Sequence, residues 1–139
     1  MRYKKAFLIG ASLVVLIWAI SVAFFFMPKN GRDNVNPQRQ AEILAITLDR
    51  GQLAPLPSRA ENLTVMTLGN MFARGFQVGF TAPLEDIDDW LANSPGLVTL
   101  TPEVDGNQRH YLFSSDDAAT INVMIDESCG CVVIEAWSS

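Results

Sequence analysis

The residues of this chain with the most chemical potential are Cys129 and Cys131, its only cysteines, separated by Gly130. Two thiols at this spacing can sit in a turn, close a disulfide or contribute to a metal site. A disulfide requires Cα atoms about 5.5–6 Å apart. So small a ring is expected to be readily reduced, as in an exchange-active pair rather than a staple. Asp126 and Glu127 beside it oppose a strongly activated thiolate, because nearby negative charge raises a thiol pKa. A metal would need more donors. His110 is the only histidine, and structural zinc takes four ligands, often from paired Cys-x-x-Cys units that are missing here. The reading that asks least is a hairpin turn. Ile121, Val123 and Ile125 alternate before the loop, and Val132, Ile134 and Ala136 alternate after it. Gly130 would supply the positive φ of a bulged turn. Cys129 and Cys131 are thus the one candidate redox pair, and no metal or cofactor is expected.

The other constellations are weaker. Asp86, Asp88 and Asp89 lack the glycine of a calcium loop and fall in a helical pattern, so they read as a solvated face. Ser114-Ser115-Asp116-Asp117 near His110 offers the residue types of a hydrolytic triad, but without a strained nucleophile turn. No phosphate-binding glycine loop or dinucleotide fingerprint occurs. Asn62-Leu63-Thr64 matches a glycosylation sequon, relevant only in a lumenal domain of a eukaryote.

Several elements must position these residues. Asn36-Pro37 reads as a helix start, with Asn36 as N-cap, and Gly51 as the stop after Arg50. Ala41, Leu44 and Leu48 form one face of that helix, widened by Ile43 and Ile46. It could pack on the domain, on the membrane surface or on a partner. Two prolines make the following stretch, Gln52 to Asn62, a stiff linker. Leu63 to Leu68 and Phe72 to Phe80 read as strands joined at Gly69-Asn70, with Phe72, Phe76, Val78 and Phe80 on a core face. Thr81 to Asn93 reads as a helix capped by Thr81, with Pro83 in its first turn. Leu84, Ile87, Trp90 and Leu91 form its apolar stripe, and Ser94-Pro95-Gly96 stops it. Strands follow at about 97–101, 108–114, 120–126 and 131–137, with Asp105-Gly106-Asn107 turning between the first two. Adjacent strands with short turns imply an antiparallel sheet. The fold class expected is α+β, a small two-layer domain covered by one or two helices.

A membrane anchor precedes this domain. Ala6 to Met27, AFLIGASLVVLIWAISVAFFFM, carries no charge. As a helix it would extend about 33 Å, against a hydrocarbon core of about 30 Å. Arg2, Lys4 and Lys5, with Ser21 and Ala23, also suit a cleaved signal peptide. The apolar run nevertheless exceeds the roughly 7–15 residues of such a segment. Lys29, Arg32 and Arg39 follow it, so the positive-inside rule gives a slight preference for a cytoplasmic N-terminus. The expected organisation is a tail and transmembrane anchor at 1–28, a tether, helix and linker at 29–59, and a domain at 60–139. Residues 29–139 would lie outside the cytoplasm.

Charge narrows the partners. Residues 60–139 hold two basic residues, Arg74 and Arg109, against twelve acidic ones, a net of −10. Such a domain is repelled by nucleic acid and by anionic lipid headgroups. A cationic or membrane-embedded protein partner fits better, with the bilayer contacted only through residues 6–27. The expected function is that of a non-enzymatic, single-pass interaction protein or accessory subunit. The alternative is an anchored thiol-disulfide oxidoreductase using Cys129 and Cys131.

Overall fold

The computed structural model describes residues 36–69 and 73–138. The anchor segment, Phe72 of the predicted second strand and Asn70 of its turn lie outside the described residues. No helix among the described residues is long and apolar enough to cross a membrane.

The first element is helix α1, Pro37–Arg50. Asn36 accepts a hydrogen bond from the Gln38 amide through its side chain, so the predicted cap is made. The buried residues of the helix are Ile43 and Thr47, with Leu44 and Leu48 partly buried, while Ala41 is exposed. Thr47 is a polar residue that sequence patterning left off this face. Its hydroxyl donates to the Ile43 carbonyl one turn back, 2.8 Å away, which satisfies it inside the core. Of the three settings open to this helix, α1 takes the first. It packs on strands β1 (Glu61–Gly69), β2 (Arg74–Thr81) and β6 (Cys131–Ser138).

The predicted linker is fastened to the domain along its length. Leu53 is buried in the core. The Ala54 amide donates to Ser94 Oγ at 3.0 Å, and its carbonyl accepts from Trp90 Nε1 at 2.9 Å. The Gln52 carbonyl accepts from the Gly96 amide. A buried indole N–H needs an acceptor, and the linker backbone provides it.

Helix α2 is Leu84–Ala92, shorter than the predicted span at its start. Thr81 is the last residue of β2 rather than a cap, because the ladder continues to the Thr81–Cys131 pair. Pro83 takes the N-cap position, without a side-chain hydrogen bond. Ile87, Trp90 and Leu91 are buried as the stripe predicts, whereas Leu84 is 41% exposed. The strand predicted at 97–101 is also corrected. Pro95–Val98 forms a short helix, α3, with Leu97 in the core. Proline favours a first helical turn, and the hydrogen bond from Gly96 to Gln52 draws the segment away from the sheet. The three-residue strand β3, Glu103–Asp105, takes its place in chain order.

Strands β4 (Gln108–Ser114), β5 (Thr120–Asp126) and β6 match expectation closely. All six strands form one antiparallel sheet in the order β1-β2-β6-β5-β4-β3. The protein therefore has a small α+β domain with one antiparallel sheet and a few helices.

Register divides the sheet into two unlike faces. Val65, Val78, Ile134, Val123 and Tyr111 are successive cross-strand neighbours, and all are buried. This is the helix side, where Phe80 meets Trp90 edge-to-face at a centroid distance of 5.7 Å. One residue along each strand, the row becomes Met66, Gln77, Glu135, Asn122 and Leu112. Leu112 is 71% exposed.

Candidate functional site

Cys129 and Cys131 form a disulfide, with their Cα atoms 5.2 Å apart. The bond closes the loop between β5 and β6. Asp126 begins that loop, and its carboxylate accepts from both the amide and the hydroxyl of Ser128. Gly130 completes it at φ +64°. The glycine is doubly required. An L side chain resists this φ, and an added methyl would collide with the Ala82 carbonyl oxygen. The Gly130 carbonyl in turn accepts from the Ala82 amide at 2.9 Å. The disulfide loop is thereby seated against the junction of β2 and α2, a long-range contact that the local sequence does not reveal.

Cys129 is exposed and Cys131 is buried. Cys129 faces a groove of about 600 Å³, with Arg59, Glu61, Thr81 and Pro83 among its other walls. Arg59 lends the groove little free charge, because it is bound to Glu85 and Asp86. Its hydrogen bond to Asp86 holds that carboxyl below the ordinary value of 3.8. The guanidinium itself is pushed up, first by the Asp86 hydrogen bond and then by that from Glu85.

The remaining candidates are dispersed. His110 lies on β4, two strands from β6, roughly 10 Å away at the spacing of a sheet. It cannot join the cysteines as a ligand, and no metal-binding group occurs among the described residues. The Ser115 hydroxyl bonds Asp117 and the Ala119 carbonyl, closing the β4–β5 turn. The Ser115 bond is also the first cause of the lowered pKa of Asp117. These residues build a turn and do not engage His110, whose side-chain contact among the described residues is with Gln108 Oε1 at 3.5 Å. Asp88 pairs with Arg109 at 2.9 Å. Asn62 stands at φ +52° and donates to the Thr81 hydroxyl, occupying the amide of the sequon.

Arg109 Nε lies 2.6 Å from Glu127 Oε1, close enough for charge pairing but outside hydrogen-bond geometry. Burial works against its charge. The Asp88 hydrogen bond and the Glu127 carboxylate outweigh that effect and raise its pKa.

The sequence leads one to expect a second sheet face that is partly open or covered by the helix at 37–50; among the described residues no helix packs on it, and the make-up of that face is what sequence reasoning missed. Its rows alternate apolar and polar: Leu68, Gly75, Trp137 and Thr120 on one side of Glu135, then Thr64, Gly79, Val133, Met124 and His110 on the other. Trp137 rests on Gly75, where a Cβ would come within 2.8 Å of the indole. The signal in the sequence was the Gly75-x-x-x-Gly79 spacing, which marks a close approach but not by which element.

Comparison with known proteins finds no matching family model, no matching curated protein and no matching solved structure.

Proposed function

We propose that this chain is a non-enzymatic, single-pass membrane protein. It presents an acidic α+β domain outside the cytoplasm to a cationic or membrane-embedded protein partner, as an accessory subunit does. The supporting observation is the disposition of charge. Arg50 is tied to Asp117, Arg59 to Glu85 and Asp86, and Arg109 to Asp88 and Glu127. Three of the five arginines among the described residues are thus consumed within the domain. Glu103, Asp105 and Glu135 have no ion pair among the described residues and project a negative field. Such a field steers a cationic partner and excludes nucleic acid. The anchor at 6–27 would hold the domain at the bilayer. The test is carbonate extraction of membranes from cells making the full chain, followed by protease treatment of spheroplasts. Retention in the pellet with digestion of the domain supports the reading. A soluble product beginning near Phe24 overturns it.

The bonded state of Cys129 and Cys131, with Cys129 on the groove wall, supports a second reading as a membrane-anchored thiol-disulfide oxidoreductase. An incoming dithiol would attack Cys129 Sγ as a thiolate. Cys131 would leave as a thiolate, and the second substrate thiolate would displace Cys129. The substrate ends as a disulfide and the protein as a dithiol, with two electrons transferred. Asp126 and Glu127 disfavour the departing thiolate, which is why this reading stands second. Oxidation of a reduced dithiol peptide by the full chain, with a gain of two hydrogens in protein mass, would place it first.

A further inference from the structure

We infer that the face of the sheet opposite the described helices is the docking surface, and that its occupant is a protein segment carrying a basic side chain between apolar ones. The inference rests on the proposed interaction role and names its site. Three observations carry it. First, the face is electrostatically one-signed. Both arginines of the strands are directed elsewhere: Arg74 alternates with Gly75, and Arg109 neighbours Ile125 on the helix side. Glu61, Glu103 and Glu135 share the open side, and among the described residues no lysine or arginine does. Second, the centre of the face holds polar groups with unspent bonding capacity. Glu135 has one hydrogen bond, from Asn122 Nδ2 at 3.4 Å, and no cation. Gln77, its neighbour on β2, is only 8% exposed, and its side-chain amide has no hydrogen-bond partner among the described residues. Third, apolar side chains frame this centre. Leu112 is 71% exposed at one end of the row, and Met66 lies at the other, with Trp137 and Val133 flanking Glu135 along β6.

Chemistry selects the occupant. A carboxylate beside an unpartnered amide calls for a multi-donor cation, which arginine supplies better than lysine. The surrounding apolar side chains reward a segment that covers them and dries the ion pair. A second copy of this chain would bring the same carboxylates against one another, and an anionic lipid surface would meet like charge.

The test uses the full chain in mild detergent and three synthetic ten-residue peptides: alternating leucine and arginine, alternating serine and arginine, and alternating leucine and glutamate. The leucine–arginine peptide should bind, the serine–arginine peptide should bind about tenfold more weakly, and the leucine–glutamate peptide should not bind. Glu135→Gln and Leu112→Ser should each weaken the first peptide about tenfold, at unchanged melting temperature. Asp89→Asn, on α2, should leave it unchanged. If the peptide binds but only Asp89→Asn weakens it, the assignment of the face is overturned while the cationic-partner reading stands. If neither arginine peptide binds, both are overturned.

Discussion

The two faces of the sheet differ by one residue of register, yet they answer to different demands. On the helix side Val78, Ile134 and Val123 are fully buried neighbours; Ser94 is satisfied by Trp90 and Ala54 and Thr47 by Ile43, while Arg109 Nε has the charge of Glu127 in place of a hydrogen bond. On the other side Gln77 and Glu135 occupy the corresponding central positions with bonds to spare. A face built for stability closes its polar accounts internally, whereas a face built for association keeps some open. Charge follows the same division. Arg109 is held on the helix side by Asp88 and Glu127, and the open side is left acidic.

Substitutions should register this difference sharply. Trp90→Ala removes the indole from Phe80 and frees the Ala54 carbonyl, so it should cost about 3–5 kcal/mol in urea denaturation. A change under about 1 kcal/mol would mean that the helix side is not the packed one. Gly130→Ala should cost more than roughly 1–3 kcal/mol, the usual penalty for backbone strain, because the methyl also strikes Ala82. Replacing Cys129 and Cys131 together with Ser should cost roughly 1–2 kcal/mol, since the closed loop is very short. If the double variant proves the less stable of the two, the disulfide rather than the glycine holds the loop in place. Leu112→Ser on the open face should shift stability by no more than about 0.5 kcal/mol while reducing peptide binding. Acidification should produce the smallest effect. Asp86 has a lowered folded-state pKa, so its pairing with Arg59 contributes fully above the ordinary 3.8 and is lost as pH falls through the folded value. Carboxyl NMR titration should show Asp86 protonating below 3.8, and Arg59→Ala should return it toward that value.

Legibility in the sequence followed the range of the interactions. The hairpin flanking the cysteines was readable because strict alternation surrounds a glycine. Helix α1 was readable from Asn36, Pro37 and Gly51, although Thr47 was not, since its satisfaction depends on a bond made only inside the helix. Residues 97–101 were misread because Leu97, Val98 and Leu100 look β-like in isolation. The decisive influence, the Gln52 carbonyl on Gly96, lies 44 residues earlier in sequence. An open second face was legible from the count of helices, but its make-up was not, for a related reason. Its central row draws single residues from five strands, and no one strand contains two of its members.

Strand order has a further consequence for biogenesis. β6 is the last strand in chain order, yet it lies between β2 and β5. The β1–β2 hairpin and the β3–β5 meander are made earlier and cannot be joined until it arrives. At about 5–20 residues per second, the residues from Ala82 to Ser138 take roughly 3–11 s to emerge. During that interval β2, which carries Val78 and Phe80, offers an unpaired edge, a template for mispairing.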